Sequence, residues 1–349
     1  MTAPFQFLPW QVDLARSWLG RRDRFAHAWL IHGLAGIGKR QFALAAAAGL
    51  LCESPEHGLA CGHCAACHWI SGGNHPDLRL IRPDAVALQE GAEAPADAEA
   101  GAATAKKNPS AEIRVDQLRA LHSWFNTATH RSGWRVAVLY PARAMNQVSA
   151  NALLKVLEEP PEHTVFLLVD DAPDRLLPTL VSRCRRLPLP VPSHAESTQW
   201  LRAQGLAEAG QWLAAAGGAP WLALQLAQNA DVAVPPWLDQ LLTPLAQARE
   251  TDVGSLADLL AGQAPGVWID ILQRLSLDLL LAAVEAPVRY FPGLGDKTLA
   301  TARHASMREL ADLGKWLNQQ RAIAGHPLNA KLLAHSTLQR VALACRPAR

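Results

Sequence analysis

The feature that most constrains this sequence is a glycine-rich turn between a short apolar segment and an alanine-rich segment. Residues 29–32 have the pattern of a buried strand, residues 33–39 contain three glycines, and residues from about 39 to 51 are typical of a helix. A strand that passes directly into a helix is a unit of parallel sheets, because parallel strands need a crossover connection. The pattern therefore predicts an α/β domain.

Further strands follow in the first half of the chain. Residues 78–81, 135–140 and 164–169 are short apolar runs, the last two rich in β-branched residues. A helix over residues 146–159 separates the last two runs and ends before Pro160, whose ring and missing N–H stop a helix. Strands that alternate with helices predict a parallel sheet covered on both faces.

The pattern changes after Cys184. Residues 187–192 form a proline-punctuated connector, and from Ser193 onward the sequence is typical of helices, with breaks at residues 217–218 and 235–236. No later segment has the pattern of a long strand. The second half is therefore predicted to be all-helical.

These patterns predict three domains in the 349 residues. We expect an α/β domain over 1–187 with a metal-binding insert at 52–67, a small helical domain over 188–232, and a larger helical domain over 233–349. In residues 85–105, 10 of 21 positions are alanine and none is basic or aromatic. We therefore predict a disordered, solvated insertion over about 85–110.

Composition excludes several classes of protein. Half of the chain is apolar and 18% is charged, which supplies ample material for a core, and the net charge of +2 provides no global field for binding nucleic acid. The longest nearly apolar run, residues 42–52, is shorter than the roughly 18 residues of a membrane span. The first residues lack the pattern of a secretory signal, so we expect a cytoplasmic protein.

The glycine-rich turn has the pattern of a phosphate-binding loop. Gly33, Gly36 and Gly38 would let backbone N–H groups surround phosphates, and Lys39 would reach the terminal phosphates. The next position should be Ser or Thr, whose hydroxyl binds Mg²⁺, but it is Arg40. The pattern indicates descent from a nucleotide-binding loop with impaired Mg²⁺–ATP binding; a glycine turn kept only for packing is the alternative.

The acidic half of an ATPase site is also altered. An ATPase strand of this kind ends in acids that hold Mg²⁺ and orient water. The strand at residues 135–139 instead continues into Tyr140 and Pro141. Asp170 and Asp171 end the next strand and could replace the missing acids, but we do not expect them to do so. We therefore expect no intrinsic ATP hydrolysis.

Four of the six cysteines lie close together in the sequence and predict a metal site. Cys52, Cys61, Cys64 and Cys67 supply four thiolates, the number that a closed, tetrahedral structural zinc site takes. An iron–sulfur cluster is the alternative, because closely spaced cysteines also hold such clusters. Nearby histidines could replace a cysteine ligand, but are expected to be solvated neighbours: His57, His63 and His68.

Together these features resemble the clamp-loader branch of the AAA+ proteins. A four-cysteine insert directly after the loop helix is a trait of that branch, and the Leu-Glu-Glu-Pro-Pro and Ser-Arg-Cys sequences at their spacing are its specific signatures. The matching segments run along most of the chain: 9–11, 27–30, 33–39, 52–67, 151–161, 182–184 and 326–332.

The resemblance implies an AAA+ αβα domain, a helical lid and a helical collar that forms the oligomer. It implies membership of a five-subunit ring that opens a sliding clamp and places it on primed DNA in the nucleoid, with gamma/tau motor subunits and a delta subunit as partners. In this family the arginine of Ser-Arg-Cys reaches ATP held by the neighbouring motor subunit. Arg183 has that position here, between Ser182 and Cys184.

Departures from the family pattern indicate which kind of subunit this is. Arg40, Tyr140 and Pro141 replace a hydroxyl and two acids, Trp221 lies near the position of a second sensing arginine, and Asp170 lies near that of a polar sensor. Altered ATPase elements beside a retained Arg183 favour a stator that does not hydrolyse ATP.

The sequence leaves two alternative functions open. One is an ATP-hydrolysing motor subunit of the same complex. The other is a zinc-dependent DNA-binding module, although the cysteine segment has no flanking lysine or arginine cluster.

Overall fold

The structure, a computed structural model, describes residues 5–20, 25–92, 109–125, 127, 129–130, 133–229, 232–326 and 329–346. It divides into two compact units, residues 1–196 and 197–349. The further division of the second half into a lid and a collar stays a prediction. No helix in the described ranges is both long and apolar enough to span a bilayer.

The first unit is built on a five-stranded parallel sheet with the order β2-β3-β4-β1-β5. Its strands are β1 (Ala28–His32), β2 (Leu78–Ile81), β3 (Arg135–Leu139), β4 (Thr164–Asp170) and β5 (Arg185–Pro188). Every residue of β3 and β4 is buried, as expected for central strands covered on both faces. The predicted α/β fold is confirmed.

Helices accompany the strands of this unit. They are α1 (Val12–Leu19), α2 (Lys39–Leu51), α3 (Ala65–Ser71), α4 (Asp84–Gln89), α5 (Val115–Phe125), α6 (Gln147–Glu158) and α7 (Pro178–Val181). Helix α6 begins where the Asn146 side chain accepts a hydrogen bond from the Ser149 backbone N–H, a typical N-cap. It ends two residues before Pro160, as predicted.

Two expectations for this unit need correction. Residues 85–92 were predicted to be disordered, but most of them belong to α4, and the Glu90 side chain is only 13% exposed because it pairs with two arginines. Residues 93–108 of the predicted insertion lie outside the described residues. The connector predicted at 187–192 begins as part of β5, whose edge position tolerates Pro188.

The second unit is helical in its described residues, as predicted. Its helices, the first of which begins just before the boundary, are α8 (His194–Ala203), α9 (Ala209–Ala215), α10 (Pro220–Asn229), α11 (Pro236–Ala246), α12 (Val253–Leu260), α13 (Pro265–Ala283), α14 (Gly295–His304), α15 (Met307–Ile323) and α16 (Ala330–Ala344). Helix α13 packs against α14 and α15, and α12 packs against α16. The predicted break at 217–218 lies between α9 and α10, and the one at 235–236 marks the start of α11, whose first residue is Pro236.

The parallel sheet brings the ends of three strands together. Strand β4 pairs with β1 on one side and β3 on the other, and His32 of β1 is in register with Asp170 of β4. In open parallel sheets, ligands bind in the crevice beyond the carboxyl ends of the strands. The glycine loop follows β1, Tyr140 follows β3 and Asp171 follows β4. All three lie at the edge of the sheet that the carboxyl ends of its strands form.

Candidate functional site

The phosphate loop has the backbone shape that its glycines predict. Gly36 and Gly38 have φ values of 74° and 87°, in the left-handed region that favours glycine. Gly38 precedes α2 as its N-cap, and a Cβ there would lie 2.2 Å from Leu8 Cδ1. Glycine is therefore required at this position for both conformation and space.

The N-terminal segment holds this loop through side-chain hydrogen bonds. Gln11 Nε2 donates to Gly38 O at 2.9 Å, and Trp10 Nε1 donates to Ile37 O at 3.2 Å. Leu8, which is 2% exposed, packs against the Gly38 turn. The loop conformation is therefore stabilised by the chain's own side chains.

Lys39, the lysine of the loop, is bound within the protein. Its Nζ lies 2.6 Å from Asp171 Oδ1 and donates to Leu34 O at 2.5 Å, and its side chain is 4% exposed. Arg143 Nη2 donates to the other oxygen of Asp171 at 2.9 Å. Burial would raise the pKa of Asp171, but Lys39 and Arg143 outweigh it and hold that pKa below its ordinary value. The charge of Lys39 is therefore already neutralised.

Arg40 and Tyr140, which replace the metal-binding groups, belong to one ion cluster around Glu90. Arg40 Nε lies 3.0 Å from Glu90 Oε1, and Arg82 Nε lies 3.0 Å from Glu90 Oε2. Neither N–H points along its contact, so both are ion pairs and not hydrogen bonds. The Tyr140 hydroxyl donates to Glu90 Oε2 at 2.8 Å and accepts from Arg82 Nη1 at 3.1 Å. We call these four residues the Glu90 cluster.

The Glu90 cluster keeps Tyr140 neutral. Burial raises the pKa of Tyr140 to about 12, and the neighbouring Glu90 charge adds to this effect although Arg40 opposes it. The Arg40 guanidinium also lies over the Tyr140 ring, 5.3 Å from its centroid. The ring and both arginines thus surround one carboxylate.

These residues do not fit Mg²⁺-bound ATP. Arg40 offers no metal ligand, and the acids at this edge of the sheet are already bound. Asp170 accepts from the backbone N–H groups of Arg143 and Ala172 at 2.6 and 2.8 Å, and Asp171 and Glu90 pair with cations. The charges of Asp171 and Glu90 are thus compensated by the protein's own cationic side chains.

Arg183 has a different environment. It follows α7, its side chain is 35% exposed, and it donates through Nη1 to Thr179 O at 3.0 Å and through Nη2 to Glu158 Oε1 at 2.5 Å. Cys184 is buried in the sheet core, and this burial raises the pKa of its thiol to about 12. Ser182 Oγ donates to Thr179 O. The tripeptide therefore buries Cys184 and leaves the preceding side chain, Arg183, partly exposed.

The four predicted cysteine ligands are brought together. Cys52 is the C-cap of α2, and Cys64 is the N-cap of α3, where its Sγ accepts a hydrogen bond from the Cys67 backbone N–H. The four Sγ atoms lie within 4.8 Å of one another, with Cys52–Cys64 at 3.8 Å and Cys61–Cys67 at 3.9 Å. Four sulfurs at 2.3 Å from one tetrahedral zinc ion are about 3.8 Å apart. The thiolates therefore fit a single metal ion.

The alternative histidine ligands do not join this group among the described residues. His63 Nδ1 lies 3.0 Å from the Cys61 backbone carbonyl and is exposed.

The sequence did not indicate Glu90 or Arg82 as site residues. Glu90 lies 50 positions from Arg40 and was assigned to a disordered segment, and no local pattern joins the two. The sequence pattern places Asp171 at the end of a strand, but its pairing with Lys39 depends on the order of the strands in the sheet.

Comparison with known proteins agrees with the resemblance. A family model described as "DNA polymerase III, delta subunit" matches residues 16–193. The "DNA polymerase III subunit delta'" of Pseudomonas aeruginosa is 37% identical over 96% of this chain and 94% of its own length. The Escherichia coli protein of the same name is 33% identical over 72% of this chain and 64% of its own length.

More distant matches include other polymerase subunits. The "DNA polymerase III subunit tau" of Escherichia coli is 33% identical over 46% of this chain and 21% of its own length. A solved gamma subunit-related protein from Thermotoga maritima aligns with 95% of this chain and all of its own, at 15% identity and a TM-score of 0.47, which is too distant to indicate function. On the full-length and family-model matches, the chain belongs to the delta-prime subunit family of DNA polymerase III.

Proposed function

We propose that this chain is the non-hydrolysing stator of a DNA polymerase III clamp loader and supplies Arg183 to ATP bound by a neighbouring subunit. The observation that carries the proposal is the contrast between two glutamate–arginine contacts. At the chain's own phosphate loop, Arg40 pairs with Glu90, whose side chain is only 13% exposed and also binds Arg82, whereas Arg183 pairs with Glu158, whose side chain is 51% exposed. The ion pairs of Lys39 and Arg40 support a closed site of its own, and the surface position of the Arg183–Glu158 pair supports a role in trans.

The chemistry of Arg183 fits that role. A guanidinium that reaches a transferred phosphoryl group stabilises the charge that develops there, and such arginines are worth about 10³–10⁵ in rate in related NTPases. The neighbour would be a gamma/tau motor subunit, with a delta subunit in the same ring. Together they would open a sliding clamp and place it on primed DNA.

The two alternatives are less well supported. A motor subunit needs a Mg²⁺ site, and the residues at this edge of the sheet do not form one. A zinc-dependent DNA-binding module needs basic side chains near the metal, and residues 52–78 contain no lysine or arginine.

The test of the trans role is ATP turnover of the reconstituted complex, stimulated by clamp and primed DNA, with Arg183→Ala in this chain. We expect the complex to assemble and single-turnover hydrolysis at the receiving site to fall by about 10³-fold or more. Arg185→Ala is the matched control, because Arg185 is an exposed arginine two positions away on β5. Unchanged hydrolysis in Arg183→Ala would overturn the proposal.

The test of the closed site is equilibrium binding of labelled ATP with Mg²⁺ to the isolated chain. We expect no saturable binding, because Lys39 and Arg40 are already paired with acids. Saturable, Mg²⁺-dependent binding that Lys39→Met abolishes would revive the motor-subunit alternative.

We also propose that the four cysteines hold one structural Zn²⁺. The sulfur–sulfur distances support a single tetrahedral ion. Elemental analysis of the purified chain should find about one zinc per chain, and Cys64→Ser should lose it. Iron with inorganic sulfide in place of zinc would overturn this assignment and favour the iron–sulfur alternative.

A further inference from the structure

The last turn of α6 carries acids where a helix favours cations. Glu158 and Glu159 are its final residue and C-cap, and the helix macrodipole places partial negative charge at this end. Negative side chains here oppose helix stability by a few tenths of a kcal/mol. Acids at a position where the helix dipole disfavours them indicate that they interact with residues outside the helix.

Glu158 makes the contact that explains its place. Its Oε1 accepts from Arg183 Nη2 at 2.5 Å, while Arg183 Nη1 donates to Thr179 O at 3.0 Å. The two Nη atoms of the guanidinium are thus fixed from two different elements, α6 and α7. A long side chain that would otherwise sample many rotamers is held in one orientation.

The supports of this contact are rigid. Leu153 and Leu157 of α6 are buried in the same core cluster as Cys184, the residue after Arg183. The ring nitrogen Nε2 of His27 lies 3.1 Å from Leu157 O in the last turn of α6. Helix α6 and the backbone of Arg183 therefore share one core, which fixes Glu158 relative to Arg183.

We propose that Glu158 is a positioning residue that holds the Arg183 guanidinium ready for the phosphates of a nucleotide on a neighbouring subunit. This inference rests on the proposed function. Immobilising a rotamer-rich side chain at an interface carries an entropic cost. Prior restraint by Glu158 lowers that cost, and the side chain remains 35% exposed for the incoming phosphates.

The test compares Glu158→Ala with Glu159→Ala in the reconstituted complex. Glu159 is the matched control because it is the adjacent exposed acid of the same turn. We expect Glu158→Ala to lower kcat at the receiving site by about 3- to 10-fold, with unchanged KM for ATP and unchanged assembly. Glu158→Gln, which keeps a neutral acceptor, should recover part of the loss, and Glu159→Ala should match the wild type.

A double variant separates positioning from a general structural effect. In an Arg183→Ala background, Glu158→Ala should cause no further loss, because its effect acts through Arg183. Additive losses would overturn the positioning role.

Failure of this inference is distinguishable from failure of the proposed function. If Arg183→Ala lowers hydrolysis but Glu158→Ala leaves it unchanged or raises it, only the positioning role is wrong. If Arg183→Ala itself has no effect, the proposed function is wrong and this inference falls with it.

Discussion

Two glutamates of the α/β unit bind arginines in contrasting surroundings. Glu90 is 13% exposed and lies between Arg40 and Arg82, beside the Tyr140 hydroxyl. Glu158 is 51% exposed and holds Arg183, which is itself partly exposed. The same pair of residue types thus occurs once around a largely buried carboxylate and once around an exposed one.

The contrast shows how burial decides what an ion pair does. Where a carboxylate is largely shielded from water, removal of one partner leaves the other charge poorly solvated. Breaking such a pair is therefore strongly destabilising. At the surface, water screens the pair, so the pair contributes little to the free energy of unfolding. Burial of the carboxylate therefore makes the Glu90 contacts structural, while the Arg183–Glu158 contact stays accessible at the surface.

The largest expected effect is on stability and concerns Glu90→Ala. The change leaves Arg40 and Arg82 close together without their acid, so we expect the free energy of unfolding in urea to fall by about 3 kcal/mol. Glu159→Ala, at an exposed position, is the control. A loss below about 0.5 kcal/mol would show that the Glu90 cluster is effectively solvated and that Glu90 contributes no more to stability than Glu158.

The next effect concerns Asp171 and depends on pH. Because Lys39 and Arg143 lower its pKa below the ordinary 3.8, its contribution to stability is present above that value and is lost as pH falls through the lowered pKa. Asp171→Asn should cost about 1–2 kcal/mol at pH 7. Chemical unfolding at a series of pH values should show this difference shrinking below about pH 4. A constant difference across that range would contradict the pairing.

A smaller effect is expected for Tyr140→Phe, which removes only the hydroxyl of the Glu90 cluster. Loss of its hydrogen bonds to Glu90 and Arg82 should cost about 1 kcal/mol. Because its folded pKa is raised from 10.0 to about 12, the wild type should lose stability as pH rises from 10 toward 12. Unfolding measured over this range should show that decline reduced in the variant. An equal decline in both would place the titrating group elsewhere.

The smallest expected effect on stability is that of Glu158→Ala. An exposed pair contributes between 0 and about 1 kcal/mol, and removal of an acid from a helix C-terminus offsets part of this. We expect the free energy of unfolding to change by less than about 0.5 kcal/mol. A loss above about 2 kcal/mol would make this pair structural, like Glu90, and would remove the distinction between them.

Patterns of short range were predictable from the sequence. Strand β1, the glycine loop and α2 follow one another without a break, and Cys52, Cys61, Cys64 and Cys67 lie within 16 residues. Local hydrophobic patterning and ligand spacing act over a few residues, so they can be recognised without knowing the rest of the fold. The edge strand β5 is not recognisable from the sequence, because its two arginines and its proline lack the apolar pattern of a buried strand.

The sequence by itself determined the parallel α/β unit, the helical second half, the cysteine group and the retained Arg183 beside altered loop residues. Tertiary structure alone decided that Glu90 neutralises Arg40, that Asp171 neutralises Lys39, and that Glu158 holds Arg183. These partners are separated by 50, 132 and 25 positions, differences read from their residue numbers. They meet because sheet order and core packing bring distant segments together, the first two pairs beyond the carboxyl ends of the strands and the third before the amino ends of β4 and β5. Pairing of charges follows distance in space, not distance along the chain.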